Sequence, residues 1–478
     1  MNLTRCFIYQ KNNYLISILL VSIYFIITNI YAQNNINQAN KYIHENQYQK
    51  AIELLTIQKN TDQLTDQDLI LLGKAFLLQA QLYRDLYKLQ NKIGVDYFQY
   101  RDTSKISIKT DYDPFFFGRY LFETEQYEKA AQLFNKVSSN VPINLQTRAK
   151  IWKEAALIKA RGEKPDNEKK YQDPVLSAEY IFAMWEAGSN VPAIPDITNT
   201  NSPLENRMSL WYAVQNRKLE KILFLINKLT KKFKPDVKQT IHANYTINFY
   251  DPSTLKILYL ANYTAASCIF EKIKNNKYNN NKNYYSGLSS YEAGDYIKAQ
   301  KKLEHVIPPT PHVHIYLGAV YYIQNNRQKA NALWNKIKDS ANTDVLYQYT
   351  HVLHNVPEKM KEVNDICEIL KDKTKNMNDA LYAARCYLEA GNGKEKALLK
   401  LVQDHYPILK HNKIKYIQPS YLTVYAHIKY LNGRKYFADV LGHLSAVSKA
   451  GYYIQPILMM ARAYMSPENP TGEKRISY

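Results

Sequence analysis

Residues 113–142 read DPFFFGRYLFETEQYEKAAQLFNKVSSNVP, and this stretch decides the fold because it encodes one whole helix–turn–helix unit. Asp113-Pro114 marks a helix start, since proline in the first turn lacks only an amide proton that would have gone unpaired. Phe117, Leu121, Phe134 and Val137 supply apolar positions at helical period. Glu125-Gln126-Tyr127 carries the turn, and Pro142 stops the second helix. Small Gly118 and Ala130 let two antiparallel helices approach closely. A lone hairpin of this kind cannot bury its own apolar face, so it requires stacked neighbours.

Ala130 follows Gly118 by twelve residues, Phe134 comes four later, Val137 three after that and Pro142 another five on. With Phe117 beside Gly118, this spacing resembles the 34-residue tetratricopeptide repeat. The resemblance implies an all-α fold: an α-solenoid of tandem antiparallel helix pairs forming a superhelix. Weaker copies recur. Residues 284–311 carry Gly287, a turn at Glu292 to Tyr296, Ala299, Leu303 and Val306. Residues 312–337 carry Leu317, Gly318, Tyr321, Ala330, Trp334 and Ile337. Ala130 and Ala299 lie 169 residues apart, close to five repeats, and Ala330 and Ala397 lie 67 apart, close to two.

Outward from these units, residues 36–58 open the array, 66–90 read as one long helix, and 94–112 read as an irregular loop with a β-prone piece at Ser104–Ile108. Helices follow over 145–161 and 174–188, and a hairpin over 204–231 turns near Asn216-Arg217-Lys218. A helix covers 252–274, Asn275–Asn283 reads as an exposed polar loop, and pairs follow over 344–371, 379–404 and 420–449. A closing helix is expected over 452–465. Asn190–Pro203, with its three prolines, is the linker candidate. The resulting division is a leader (1–32), an N-terminal array (33–189), the linker (190–203), a C-terminal array (204–466) and a tail (467–478).

Met1–Ala32 reads as a secretory signal peptide: Arg5 and Lys11 precede an uncharged apolar run from Tyr14 to Ile30, and Ile30-Tyr31-Ala32 suits cleavage before Gln33. The alternative is a membrane anchor formed by residues 14–31. Either way the chain is expected to be exported, to the periplasm, envelope or exterior. Loss of Arg5 and Lys11 takes the formal charge from +20 to +18, an excess that favours acidic surfaces such as anionic glycans or lipid headgroups. A coding bias toward Lys, Asn, Ile and Tyr accounts for the same excess. Cys268, Cys367 and Cys386 remain after the leader, and their odd number and wide spacing point to buried free thiols, although adjacent helices could bring Cys367 and Cys386 together.

Enzyme signatures fail on inspection. Gly391-Asn392-Gly393-Lys394 lacks the earlier glycine and the following Ser or Thr of a phosphate loop. His44-Glu45 begins a zinc-protease pattern that Tyr48 ends, and His351 and His354 share a helical face with no third ligand evident in sequence. No catalytic residue, metal site or cofactor is therefore expected. The family resemblance implies instead a concave face, lined by each first helix, that binds a protein or peptide. Matching repeat positions gives Phe115, Arg119 and Phe122 in one unit, Tyr284 and Tyr291 in the next clear one, Tyr322 after it, and Tyr430 near the end. Phe122, Tyr291, Tyr322 and Tyr430 would form an aromatic ladder able to stack on a peptide or, as the alternative, on the sugars of an anionic wall polymer. Tyrosine at these positions is also ordinary packing. The family's Lys/Asn carboxylate clamp is absent where Phe115 and Arg119 stand, and nucleic acid is not an expected partner.

Overall fold

A computed structural model describes residues 35–45, 47–56, 61–103, 109–165, 171–189, 197, 202–231, 234–242, 245–337, 340, 342–393, 396–405 and 419–465. The leader, the β-prone piece at 104–108, the tail and most of the proposed linker lie outside these residues. Within the linker, Ile197 is buried and its carbonyl accepts from Ser209 Oγ at 3.2 Å.

The first hairpin is α1 (35–44) and α2 (Tyr48–Thr56), followed by the long α3 (Asp66–Thr103). Three more pairs come next: α4 (Asp113–Glu123) with α5 (Tyr127–Asn135), α6 (Ile143–Arg161) with α7 (Pro174–Glu186), and α8 (Pro203–Gln215) with α9 (Leu219–Lys231). Strands β1 (Val237–His242) and β2 (Tyr245–Phe249) precede α10 (Ser253–Glu271). The C-terminal pairs are α11 (Asn279–Glu292) with α12 (Tyr296–Leu303), α13 (Pro311–Ile323) with α14 (Arg327–Trp334), and α15 (Thr343–Leu353) with α16 (Met360–Asp372). Then come α17 (Met377–Glu389) with α18 (Lys396–Asp404), α19 (Pro419–Leu431) with α20 (Phe437–Lys449), and the single α21 (Gln455–Met465).

The hairpins close as the opening stretch implies. A Cβ at Gly118 would stand 2.7 Å from the Phe134 ring, and one at Gly287 would stand 2.7 Å from Leu303. Gly318 meets Trp334 in the same way, again sixteen residues on. In each pair the glycine is a socket in the first helix for a large side chain of the second. Turns between helices need one left-handed residue, which Gly294 and Gly391 supply without strain, while Glu125, Arg217 and Asn325 adopt it at φ of 63°, 50° and 62°. Starts are capped by side chains: Ser202 and Glu205 form a reciprocal capping box on α8, and Asp295 and Asn326 cap α12 and α14.

Several expectations need correction. Residues 94–103, read as loop, continue α3. Gly94 is not a break but a second kind of socket, because a Cβ there would overlap the Tyr120 ring of α4. Residues 279–283, read as exposed loop, begin α11 after a short 3₁₀ turn at Asn276–Tyr278. The chain is also not wholly helical: β1 and β2 pair antiparallel, with Val237 opposite Phe249 and Gln239 opposite Ile247. Phe249 is buried against Phe116, Tyr112 and Phe98, at centroid distances of 5.0, 5.8 and 6.4 Å, so the hairpin seals the α3–α4 junction. Finally, Cys367 of α16 and Cys386 of α17 are disulfide-bonded; only Cys268 is a buried free thiol among the described residues. Among those residues no helix is long and apolar enough to cross a membrane.

Candidate functional site

The first helices α4, α11, α15, α17 and α19, which a repeat array would present to a partner, are met here by the chain's own α3, whose most extensive neighbour is α10. At 38 residues this helix spans about 57 Å. Leu72, Ala75, Leu82, Leu86, Leu89 and Ile93 are fully buried along one face, Phe76, Ala80 and Phe98 are buried on the next, and no residue over 68–98 is exposed, so the helix is covered on more than a single apolar stripe. Its polar side chains are gripped by α4 and by residues more than two hundred positions away. Arg84 Nη1 donates to Glu292 Oε2 of α11 at 2.9 Å and to His351 Nε2 of α15 at 2.8 Å. Asp85 accepts from Arg385 Nη2 of α17 at 2.6 Å, and Lys88 Nζ donates to Glu389 Oε1 of the same helix at 2.7 Å. Asp96 accepts from Tyr430 Oη of α19 at 2.8 Å, and Tyr87 Oη donates to Glu123 of α4 at 2.5 Å. The Tyr48 amide of α2 donates to the Tyr452 hydroxyl, 404 residues away, so the closing segment also packs onto the start of the array.

His351 sits at the centre of this grip. Neutral, it accepts from Arg84 and donates from Nδ1 to Glu389 Oε1 at 3.1 Å; protonated, its Nε2 faces Glu292 Oε1 at 3.3 Å. Burial and Arg84 oppose its charge, but Glu389 and Glu292 outweigh them and raise its pKa. Burial likewise opposes the Glu389 charge, yet Lys88, His351 and Arg84 hold that carboxyl well below the usual range.

A second buried cluster braces the N-terminal pairs. Asp251, just before α10, takes Arg148 Nη2 at 3.0 Å and lies 3.5 Å from Arg119 Nε and 3.9 Å from Arg207 Nη2. Its other oxygen accepts from Ser253 N and Oγ at 3.0 and 2.6 Å. Burial alone would raise the Asp251 pKa; Arg119, Arg207 and Arg148 hold it far below the carboxylate range. Lys256 bridges Glu123, at 3.3 Å, and Glu186. With Glu179 and Asp236, four cations face five carboxylates. Burial and the Glu123 charge push the Glu186 pKa up despite Lys256. The guanidinium of Arg119 lies 3.2 Å from the Trp152 ring centre, and Trp152 Nε1 donates to Glu179 at 2.9 Å. This is a brace of α4, α6, α7, α8 and α10. Among the described residues no group of His, Cys, Asp and Glu is arranged to hold a metal.

The residues singled out in sequence divide accordingly. Phe115, Arg119, Phe122, Tyr291 and Tyr430 are buried, and Tyr284 and Tyr322 are half-buried. Phe122 packs on Trp152, Tyr291 on Tyr316, Tyr322 on Trp334 and Tyr430 on Phe437, so the four rings do not form one open ladder. The structure does bring two of them together. Tyr291 and Tyr322 line a half-open pocket of about 210 Å³ with Ala319, Ile323, Val352 and Val356, and with Asn325, Asn355 and Arg327 at its rim. It lies where the α13–α14 turn meets the end of α15. Tyr322 Oη donates to Glu358 at 2.9 and 3.0 Å, which fixes the ring. What sequence reasoning missed is the part played by α3: Arg84, Lys88, Lys92 and Asp96 recur every four residues along one helix, with Asp85 beside Arg84, which signals a charged stripe but not what it faces.

No protein-family model matches the chain, and neither does any curated protein. Among solved structures it is similar to yeast Tom70, with a TM-score of 0.32 and 11% identity over 92% of this chain and 97% of that one. It is also similar to the APC/C hetero-tetramer Cut9–Hcn1, with a TM-score of 0.27 and 12% identity over 91% of this chain and 89% of that one. Both are helical repeat proteins, and likenesses this distant carry no argument about function.

Proposed function

We propose that the chain is a non-catalytic, exported scaffold that binds another protein, acting in an assembly of the cell envelope. The observation that carries this reading is the pocket beside Tyr291 and Tyr322, which stays open at the edge of the stack while α3 fills the inner wall. Partner contacts then fall on that edge and on the outer second helices, where Phe224 and Ile297 are 63% and 81% exposed. Export draws support from the Cys367–Cys386 disulfide, a bond of oxidising compartments, together with the leader at 1–32. The reading as a binder of anionic polysaccharide through a Tyr-rich concave surface has less behind it, because Tyr48, Tyr83, Tyr120, Tyr263, Tyr316, Tyr347 and Tyr349 all lie in the core.

Fractionation of expressing cells, with cross-linking and mass spectrometry of the recovered chain, tests the reading. The expected result is a mature start at Gln33 in an extracytoplasmic fraction and one reproducible cross-linked protein. An intact Met1 in the membrane pellet would replace export by anchoring through residues 14–31. An intact Met1 in the cytosol, or no specific partner, would sink the proposal.

A further inference from the structure

Resting on the scaffold reading, we infer that the pocket between the α13–α14 turn and the end of α15 takes one aliphatic side chain of an extended partner segment, with a carboxylate beside it held by Arg327. The floor is apolar: Tyr291, Ala319, Val352 and Val356 are all buried. A dry apolar cavity of about 150 Å³ already holds a benzene ring, so 210 Å³ accommodates a leucine or isoleucine side chain. Ile323, 43% exposed, continues the apolar surface out of the pocket and would be covered by the backbone of the occupant. A sugar would leave its hydroxyls unpaired against such a floor.

The rim supplies the charge. The Arg327 side chain is 68% exposed, and its one carboxylate neighbour among the described residues, Glu358, lies at 3.7 Å, beyond hydrogen-bond reach. Both Glu358 oxygens take the Tyr322 hydroxyl, and Arg327 meets this carboxylate as an ion pair without a hydrogen bond. The guanidinium therefore has donors to offer an incoming carboxylate. Asn325 and Asn355 are exposed on either side and can pair with the backbone of the segment. The left-handed turn at Asn325 and the fixed Tyr322 ring hold this geometry before binding, which lowers the ordering cost of association.

The test is selection of a display library of random ten-residue segments on the purified full-length chain, followed by titration of the enriched peptides in labelled form. Enriched sequences should pair Leu, Ile or Val with a neighbouring Asp or Glu. Replacing that aliphatic residue with Gly should weaken binding at least about tenfold. Arg327→Glu should weaken it about threefold or more and remove the acidic preference. Asn355→Trp, an exposed rim position, should close the mouth and abolish binding while leaving the circular dichroism melt unchanged. Enrichment of a motif indifferent to Asn355→Trp would overturn the pocket proposal and leave the scaffold reading standing. No enrichment at all would also overturn it, and the cross-linking result above then decides separately whether the chain is a scaffold.

Discussion

Asp85→Ala removes one half of a buried ion pair and leaves Arg385 with its side chain only 6% exposed and its strongest partner gone. Stranding a charge in this way costs about 3–5 kcal/mol. The remaining surroundings do little to offset it: the Tyr347 ring lies 5.9 Å from the guanidinium, and Arg385 Nε has no hydrogen-bond partner among the described residues. The loss should appear as a lower urea midpoint with an unchanged slope, followed by far-ultraviolet circular dichroism. In an Arg385→Leu background the same Asp85→Ala change should cost less than about 1 kcal/mol, because the charge it strands is no longer there. The pair joins positions 300 residues apart, so the destabilisation should reach both ends of the chain and keep a single transition. A single-mutant cost below about 1 kcal/mol, or equal costs in the two backgrounds, would refute the sealing of α3 against α17.

Other perturbations have definite expectations. Gly94→Ala should destabilise by about 1–2 kcal/mol despite its better helix propensity, since its methyl would enter the Tyr120 ring, whereas Gly442→Ala, exposed on α20 with nothing within 4 Å, should stabilise by about 0.5–1 kcal/mol; paired thermal melts decide both. Acid should weaken the fold: burial, with Lys88 and Lys92 nearby, depresses the His427 pKa to about 3. Stability from that group is present above about pH 6.5 and lost as pH falls, by up to about 2 kcal/mol at pH 5, and His427→Gln should flatten this slope in urea titrations. His351 carries the opposite sign: its raised pKa gives stability below about pH 6.5 that is lost as pH rises through the folded value, so His351→Gln should remove a decline on the alkaline side. Replacing Cys367 and Cys386 by Ser opens a loop of sequence separation 19 and should cost about 3 kcal/mol in denaturant unfolding.

The repeating part of this fold was legible because its rule is local. Gly118, Gly287 and Gly318 each meet a large residue sixteen positions on, and such spacing shows in one dimension. The rest depends on contacts that no spacing encodes. Gly94 looks like a helix breaker until Tyr120 is placed against it, and Asn279–Asn283 looks like a loop although the helix it begins is paired further along. The β-hairpin did leave a signal, the period-two alternation of Tyr245, Ile247 and Phe249 among Thr246 and Asn248, which sat between stronger helical patterns. Cys367 and Cys386 meet only because α16 packs on α17. Of the candidate site, the positions of Tyr291 and Tyr322 were readable from the repeat register, but their pocket needed Val352 and Val356 from the next pair. The largest omission was α3, whose charged stripe reads as a solvated face until Glu292, Arg385, Glu389 and Tyr430 are brought around it.

Hydrogen exchange of the intact chain, resolved to peptides within α3, goes to the heart of this arrangement. If α3 is enclosed by α10 and by the first helices α4, α11, α15, α17 and α19, amides over residues 76–93 exchange only through global unfolding, more slowly than those of the outer α12 and α14, and Asp85→Ala accelerates them together with those of α17. Exchange of α3 as fast as that of the outer helices, and indifferent to Asp85→Ala, would mean that the inner wall is open and that α3 is not its occupant.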